Sequence, residues 1–341
     1  MSTNAQQVEP NDCATGDAIW HHHPSLPIDT SALFKWPPNP IKGLLSIFLS
    51  WFGLYTRGIA LLIILSVWLT LHPSMSDIAA GGYVWAIKIF VINFMLITVV
   101  AGSLHLYFFT FARQGTQLAF TTPPTARHVK FTFNNQLLDN IFWTLGSGVT
   151  IWTAYQCGLL WGLANDHFPA YSWQDGATWF LLFFVLIPFI DGSHFYAIHR
   201  MLHFKPFYQR VHSLHHRNVS VGPWSGLSMH PVEHIIFFSP VLVHLFLPSH
   251  PFHIVFHVSW LALGPVGTHT GVEALLVRGR KLVALGMFHH QLHHRYYECN
   301  YGNPDIPLDN LAGTFHDGTQ QATSDMKTRL RERAKQRSRA S

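Results

Sequence analysis

"VHSLHHRNVS", Val211 to Ser220, places His212, His215 and His216 within five positions of a chain that is otherwise mostly apolar. On a helix, positions i, i+3 and i+4 share one face, so the spacing predicts three imidazoles pointing the same way. The figure returns at His290-Gln291-Leu292-His293-His294, and "HRMLH" supplies His199 and His203 at i, i+4. Histidine fills 25 of 341 positions. At that frequency H-x-x-H-H is expected by chance on the order of 0.1 times, so finding it twice points to selected chemistry.

The surroundings are those of a membrane protein. Only 11% of the residues are charged and 48% are hydrophobic, against about 25% charged in an average soluble domain. Four apolar runs stand out: "GIALLIILSVWLTLH" after Arg57, Val84 to Phe111, Ile141 to Leu163, and Ala177 to Ile190. A spanning helix needs about 20 mainly apolar residues. The middle two runs meet this, and the last does so by continuing toward His194. The expected fold is therefore all-α and integral to the membrane, with about four transmembrane helices in antiparallel pairs. The net charge of +5 is concentrated in Arg113, Arg127 and Lys130 and in the tail "KTRLRERAKQRSRAS". Both should face the cytoplasm, with both termini inside. The tail reads as a solvated juxtamembrane segment, and no nucleic-acid partner is expected.

Four regions follow: a polar tail at 1–40, expected to be disordered and to include His21 to His23; a first membrane pair with its basic loop at 41–133; a histidine-bearing domain at 134–318; and a basic tail at 319–341. The first 40 residues lack the basic start and apolar core of a secretory signal. Cys13, Cys157 and Cys299 are too few and too scattered for a disulfide framework or a thiolate metal site. The apolar stretches Ile235–Leu247 and Ile254–Leu263 flank "PSHPFH". They read as a hairpin returning to the cytoplasmic side and delivering His269 there, whether it crosses the bilayer or re-enters it.

Clustered imidazoles suit zinc, copper, iron or nickel. A single zinc takes four ligands, or three plus water, and the histidines here outnumber that. Two metals sharing them is the economical solution. There is no H-E-x-x-H zinc-protease helix. None of the five glutamates has a histidine three residues later, as the soluble di-iron carboxylate bundles require. A nitrogen-rich pair of irons with positions open to dioxygen remains, set in a cytoplasmic cap where membrane helices end. Its substrate should be a lipid.

The order "HRMLH", "HSLHH", "HHQLHH" resembles the histidine boxes of the sterol desaturase and fatty acid hydroxylase superfamily, integral membrane di-iron oxygenases. The likeness covers about residues 135 to 315. "HPVE" at His230–Glu233 resembles its H-P-x-E/D element, "HTGVE" at His269–Glu273 its H-x-G element, and "NYGNPDIPLDNLAGTF" from Asn300 its closing signature. Leu308 stands where that signature has tryptophan, with Asp309 kept, and Leu292 where relatives often carry an acidic residue. The resemblance implies that His199, His203, His212, His215, His216, His269, His290, His293 and His294 form the catalytic iron-binding set, with His230 a tenth ligand. It implies two iron ions, dioxygen as co-substrate, and hydroxylation or desaturation at an unactivated C–H bond of a sterol-like or long-chain lipid. Asp191, Glu233 and Glu273 are expected to offset the charge by accepting hydrogen bonds from the outward ring nitrogens, and Glu273 is also a candidate direct ligand.

No G-x-G-x-x-G fingerprint, cysteine set for an iron–sulfur cluster or haem module is present, so electrons must come from an external ferredoxin, reductase or small haem protein. A zinc-handling or transport protein is the alternative from another class. Its ligands should line a path through the spans, whereas these boxes lie beyond helix ends. The isolated His72, His105, His128, His167, His244, His250, His253, His257 and His316 read as packed or solvated. His194, His234 and His289 adjoin the boxes but are off their spacing.

Overall fold

The computed structural model describes residues 20–31, 34–35, 37, 39–46, 57–172, 174 and 176–340. The remainder of the N-terminal tail lies outside the described residues. The apolar runs form helices that alternate in direction: α1 (Arg57–Thr70), α2 (Val84–His105, extended by a π turn at Leu106–Thr110), α3 (Gln136–Trp143) continuing through a π turn into α4 (Val149–Ala164), and α5 (Ala177–Leu202). Two described stretches are long and apolar enough to cross a bilayer, Val84–Thr110 and Ala177–Leu202. At 1.5 Å rise per residue each is roughly 40 Å long, more than the ~30 Å hydrocarbon thickness. Ile87, Val91, Met95, Val99 and Leu181 stay exposed on these helices, as a lipid-facing surface requires.

The Ile141–Leu163 run, expected as a third span, makes up the end of α3 and nearly all of α4 and forms an inner wall. Trp152, Leu159, Leu160 and Leu163 are buried there, and α4 packs on α2. Its polar residues are used inside the molecule: Asn93 of α2 donates to Thr153 Oγ1 at 3.1 Å and to Gln156 Oε1 at 3.0 Å. Such interhelical hydrogen bonds hold apolar helices in register.

The expected hairpin is present. Helix α6 (Pro231–Phe238) leads through a 3₁₀ segment, Ser239–Leu245, to a turn at 246–250, and α7 (Pro251–Thr268) returns. The turn reaches the far end of α5, where Trp179 Nε1 donates to Pro248 O at 2.8 Å, and it touches the loop after α4 through Ser249 N to Pro169 O at 3.1 Å. Thus α7 runs alongside α5 from that distal end to the end that carries the histidines.

Two features depart from the sequence reading. The chain is not wholly helical: β1 (Ala274–Val277) and β2 (Arg280–Ala284) form an antiparallel hairpin, pairing Ala274 with Ala284, on the way to α8 (Phe288–Tyr296). Arg278 and Gly279 both have positive φ, as a tight two-residue hairpin turn demands. Residues 20–31, expected in a disordered tail, lie across the histidine end. His21 N donates to Phe120 O at 2.9 Å, Ile28 N donates to Asp317 O at 2.8 Å, and Trp20 packs edge-on against Phe288 at 5.0 Å. Contacts with residues about a hundred or more positions away hold this strap, and no local pattern announces them. The basic C-terminal segment forms a helix, Gln320–Ala340.

Candidate functional site

Nine of the ten expected ligand residues converge at the end of α5 and α7. They form two adjoining groups: His199, His203, His212, His216 and His293; and His215, His269, His290 and His294. Within each group the candidate ligand nitrogens all lie within 4.8 Å of one another. The rings of His216 and His294, one from each group, have centroids 4.9 Å apart. The three rings of a box therefore do not point to one place. His212 and His216 enter the first group while His215 enters the second; in α8, His290 and His294 enter the second and His293 the first. In both boxes the histidines four apart share a group and the one three along enters the other; a π turn at Tyr208–His212 carries the chain into the second box.

The backs of the rings are held by carbonyl oxygens. His199 Nδ1 donates to Tyr301 O and His293 Nδ1 to Cys299 O, both at 2.6 Å; His269 Nδ1 donates to Pro265 O at 2.9 Å and His215 Nδ1 to Ser228 O at 3.3 Å. The Cys299 and Tyr301 carbonyls flank Asn300, whose φ is +53°. Buried Asp309 fixes that turn by accepting from Tyr301 N at 2.9 Å, Gly302 N at 2.7 Å and Thr314 Oγ1 at 2.6 Å. The closing signature is thus a device that aims two rings, a role the sequence reading did not assign to Asp309.

A carbonyl can only accept, so each of these rings carries its proton on Nδ1 and a bare lone pair on Nε2. His215 Nε2 and His269 Nε2 then face each other lone pair to lone pair at 3.4 Å. His212 shows the same shortage: its Nδ1 donates to Glu233 Oε1 at 2.7 Å, and its buried Nε2 has no partner. Converging lone pairs in a dry site repel unless a cation sits among them, so these residues fit a pair of metal ions.

Burial, reinforced by neighbouring imidazoles, pushes His203, His216, His269, His290, His293 and His294 below the ordinary histidine range. Burial alone pushes His212 down to about 3, and it takes His215 to about 4. The rings outside α5 are therefore neutral at pH 7, the form that binds metal. Burial raises Glu233 to about 7, against the lowering effect of His215 and His230.

Three expected roles change. His230 joins neither group. Pro231 at the first helical position makes His230 the N-cap of α6, where its Nδ1 accepts from Val232 N at 3.2 Å. Glu273 touches no ring of either group; it accepts from His22 and Lys281 at the surface. Gly271, with φ +74°, turns the chain just after His269 and sends Glu273 away. Asp191 accepts from His257 Nε2 at 2.7 Å and from none of the nine rings. Only Glu233 holds a ring of the groups as expected.

An apolar cleft enclosing about 1090 Å³, its mouth included, opens beside the histidines. Pro188, Gly192, Phe195, Phe237, Trp260 and Ile306 line it, and His199, His212, His215, His269 and His290 lie at its wall with Asp191 and Glu233. Its walls suit an extended or fused-ring hydrocarbon.

Residues 180–314 match the family model "Fatty acid hydroxylase". The chain is 28% identical over 159 residues to a Delta(7)-sterol-C5(6)-desaturase of Nicotiana tabacum, covering 46% of this chain and 56% of that protein. It is 28% identical over 158 residues to a Delta(7)-sterol 5(6)-desaturase of Gibberella zeae (45% and 48%), and 27% identical over 226 residues to one of Schizosaccharomyces pombe (63% and 70%). The chain spans about half the length of the first two relatives. No solved structure matches it. The ordered histidine boxes and these matches support a likeness of this chain to the sterol desaturase and fatty acid hydroxylase superfamily.

Proposed function

We propose that this chain is a membrane-bound, dioxygen-dependent di-iron oxidoreductase that hydroxylates or desaturates a lipid, with electrons from an external donor. The observation that carries this is the pair of all-histidine groups, five rings and four, at the wall of an apolar cleft. The sterol-acting relatives favour a sterol-like substrate over an open acyl chain. The reading includes four spans (α1, α2, α3 with α4, and α5) and the α6–α7 hairpin. It sets the histidine end and both termini on the cytoplasmic side, the side of basic Arg113, Arg127 and Lys130.

His199, His203, His212, His216 and His293 would hold one iron, and His215, His269, His290 and His294 the other. Bound there, the two irons supply dioxygen activation and removal of hydrogen from an unactivated C–H bond. The protein's own part is positioning. Carbonyl acceptors fix the tautomers of His199, His215, His269 and His293 so that their Nε2 lone pairs converge, and Glu233 balances cationic charge through His212. Phe195, Phe237 and Trp260 exclude water and hold the hydrocarbon against the ring wall.

The test uses purified full chain in lipid nanodiscs. It should bind two irons per chain, and His203→Ala and His269→Ala should each lower that count and abolish lipid-dependent dioxygen uptake. Mass spectrometry of host lipids should show one class gaining an oxygen atom or losing two hydrogens. A wild-type protein that binds zinc but not iron, with no dioxygen uptake, would overturn the assignment.

A further inference from the structure

Beyond the nine rings lies a second histidine array. Asp191 Oδ1 is 2.7 Å from His257 Nε2, His257 Nδ1 is 3.1 Å from His244 Nε2, and His244 Nδ1 is 2.7 Å from Ser249 Oγ. Ser249 Oγ also lies 2.8 Å from Leu247 O. His244, Ser249 and His257 are fully buried. Phe183 stacks on His244 at 5.1 Å, and His253 beside it is engaged with Phe180 O. At one end, Asp191 lines the cleft, and its buried Oδ2 has no partner. At the other, Ser249 sits between exposed Pro248 and half-buried His250 in the distal turn. Along α5 the array covers the rise from Phe180 to Asp191, on the order of 16 Å.

The hydrogen bonds of this array can be filled in two ways. In the first, Asp191 is ionised and accepts from His257 Nε2–H, His257 Nδ1 accepts from His244 Nε2–H, and His244 Nδ1 accepts from Ser249 Oγ–H. In the second, protonated Asp191 donates to His257 Nε2, His257 Nδ1–H donates to His244, and His244 Nδ1–H donates to Ser249 Oγ, whose own hydrogen turns to Leu247 O. The second holds one proton more. Neither charges an imidazole, which in so dry a place would be costly. We propose that Asp191, His257, His244 and Ser249 form a proton relay that takes up a proton at the distal turn and delivers it from Asp191 into the cleft.

Each link breaks one O–H or N–H bond and forms another. A proton from water reaches Ser249 Oγ, and the Ser249 hydrogen passes to His244 Nδ1. The Nε2 hydrogen of His244 moves to His257 Nδ1, and that of His257 moves to Asp191 Oδ1. Rotation about Cβ–Cγ turns the acid toward the cleft, where it loses its proton. The inference rests on the proposed function for its use. Hydroxylation of a C–H bond by dioxygen, with two electrons from the external donor, consumes two protons and releases one water, in a cleft walled by apolar side chains. Asp191 is the donor at the cleft; His257, His244 and Ser249 act through it as positioning and relay groups.

The test has two arms on the iron-loaded full chain in nanodiscs. Hydrogen–deuterium difference infrared spectra should show a protonated-carboxyl band that D191N removes. H244F and the smaller S249A, which leave Asp191 and its His257 contact in place, should change the protonated fraction at least threefold. In turnover, both variants should keep wild-type iron content while the solvent deuterium isotope effect rises at least twofold and more peroxide escapes per lipid oxidised. An unchanged carboxyl band in both variants would overturn the relay and leave a merely structural hydrogen-bond chain. A wild-type protein that shows the coupled band but takes up no dioxygen would instead overturn the proposed function and leave the relay standing.

Discussion

Replacing Glu233 by glutamine tests how the site tolerates its own charge. The carboxylate accepts from His212 Nδ1 at 2.7 Å, and both residues are almost completely buried, at 3% and 1% exposure. A hydrogen bond to a charged acceptor contributes about 1.5–3 kcal/mol and a neutral one about 0.5–1.5 kcal/mol. Glutamine can keep the acceptor but loses the charge, so E233Q should cost about 1–1.5 kcal/mol of metal binding, roughly five- to tenfold in affinity. Alanine also strands the His212 N–H in a dry site, which adds about 1–3 kcal/mol. E233A should therefore bind on the order of a hundredfold more weakly, the upper end of what removing a ligand's hydrogen-bond partner costs. Anaerobic Fe(II) titration against a competing chelator measures both, with circular dichroism confirming the fold. If E233Q binds as tightly as wild type, or E233A no worse than E233Q, the charge-balancing role is refuted.

Three further outcomes follow from the geometry. At Gly192 even a Cβ would meet Ile306 Cδ1 at 2.8 Å across the cleft, so G192F should keep two irons yet lose lipid turnover at least tenfold, read by iron analysis beside product mass spectrometry. R217A removes the Nη2 donor 2.7 Å from fully buried Asp139, which ties the second box to α3; stranding that carboxylate should destabilise the protein by about 3–5 kcal/mol in denaturant titration. The metal-free protein should weaken in acid. Burial pushes His212 down to about 3 and His215 and His289 to about 4, while unfolded imidazoles protonate near pH ~6.5. Stability is then full above that pH and lost as pH falls toward 4, because the unfolded chain takes up protons the folded one refuses. Glu233, raised to about 7, opposes one of these three groups. These four groups alone give a slope of about 2.7 kcal/mol per pH unit below pH ~6, the other buried rings steepen it, and a flat melting curve from pH 7 to 5 would contradict it.

Much of the centre was legible because spacing on a helix is a local property. The boxes named nine rings, and all nine converge. What spacing could not reveal was their division into two groups, since that depends on where neighbouring helices stand. Errors arose where adjacency in sequence was taken for adjacency in space. Glu273 is four residues from His269, yet a left-handed glycine and a hairpin carry it outward. Asp191 shares a stripe with His199, but eight residues of helix put roughly 12 Å between them, too far for a hydrogen bond. His257 and His244 looked like packing because nothing nearby repeats them; their partners come from another helix and from the distal turn. The strap at residues 20–31 was missed for the same reason.

Two short helices each reach into both nitrogen groups, and this ties the fates of the two sites together. Seating one ion fixes the rotamers of His212, His216 and His293, and with them the backbone that presents His215, His290 and His294. Filling should therefore be cooperative, with the singly occupied form the scarcest species at intermediate iron. Under the proposed function, that scarcity would guard against a lone ferrous ion leaking radicals beside a lipid substrate.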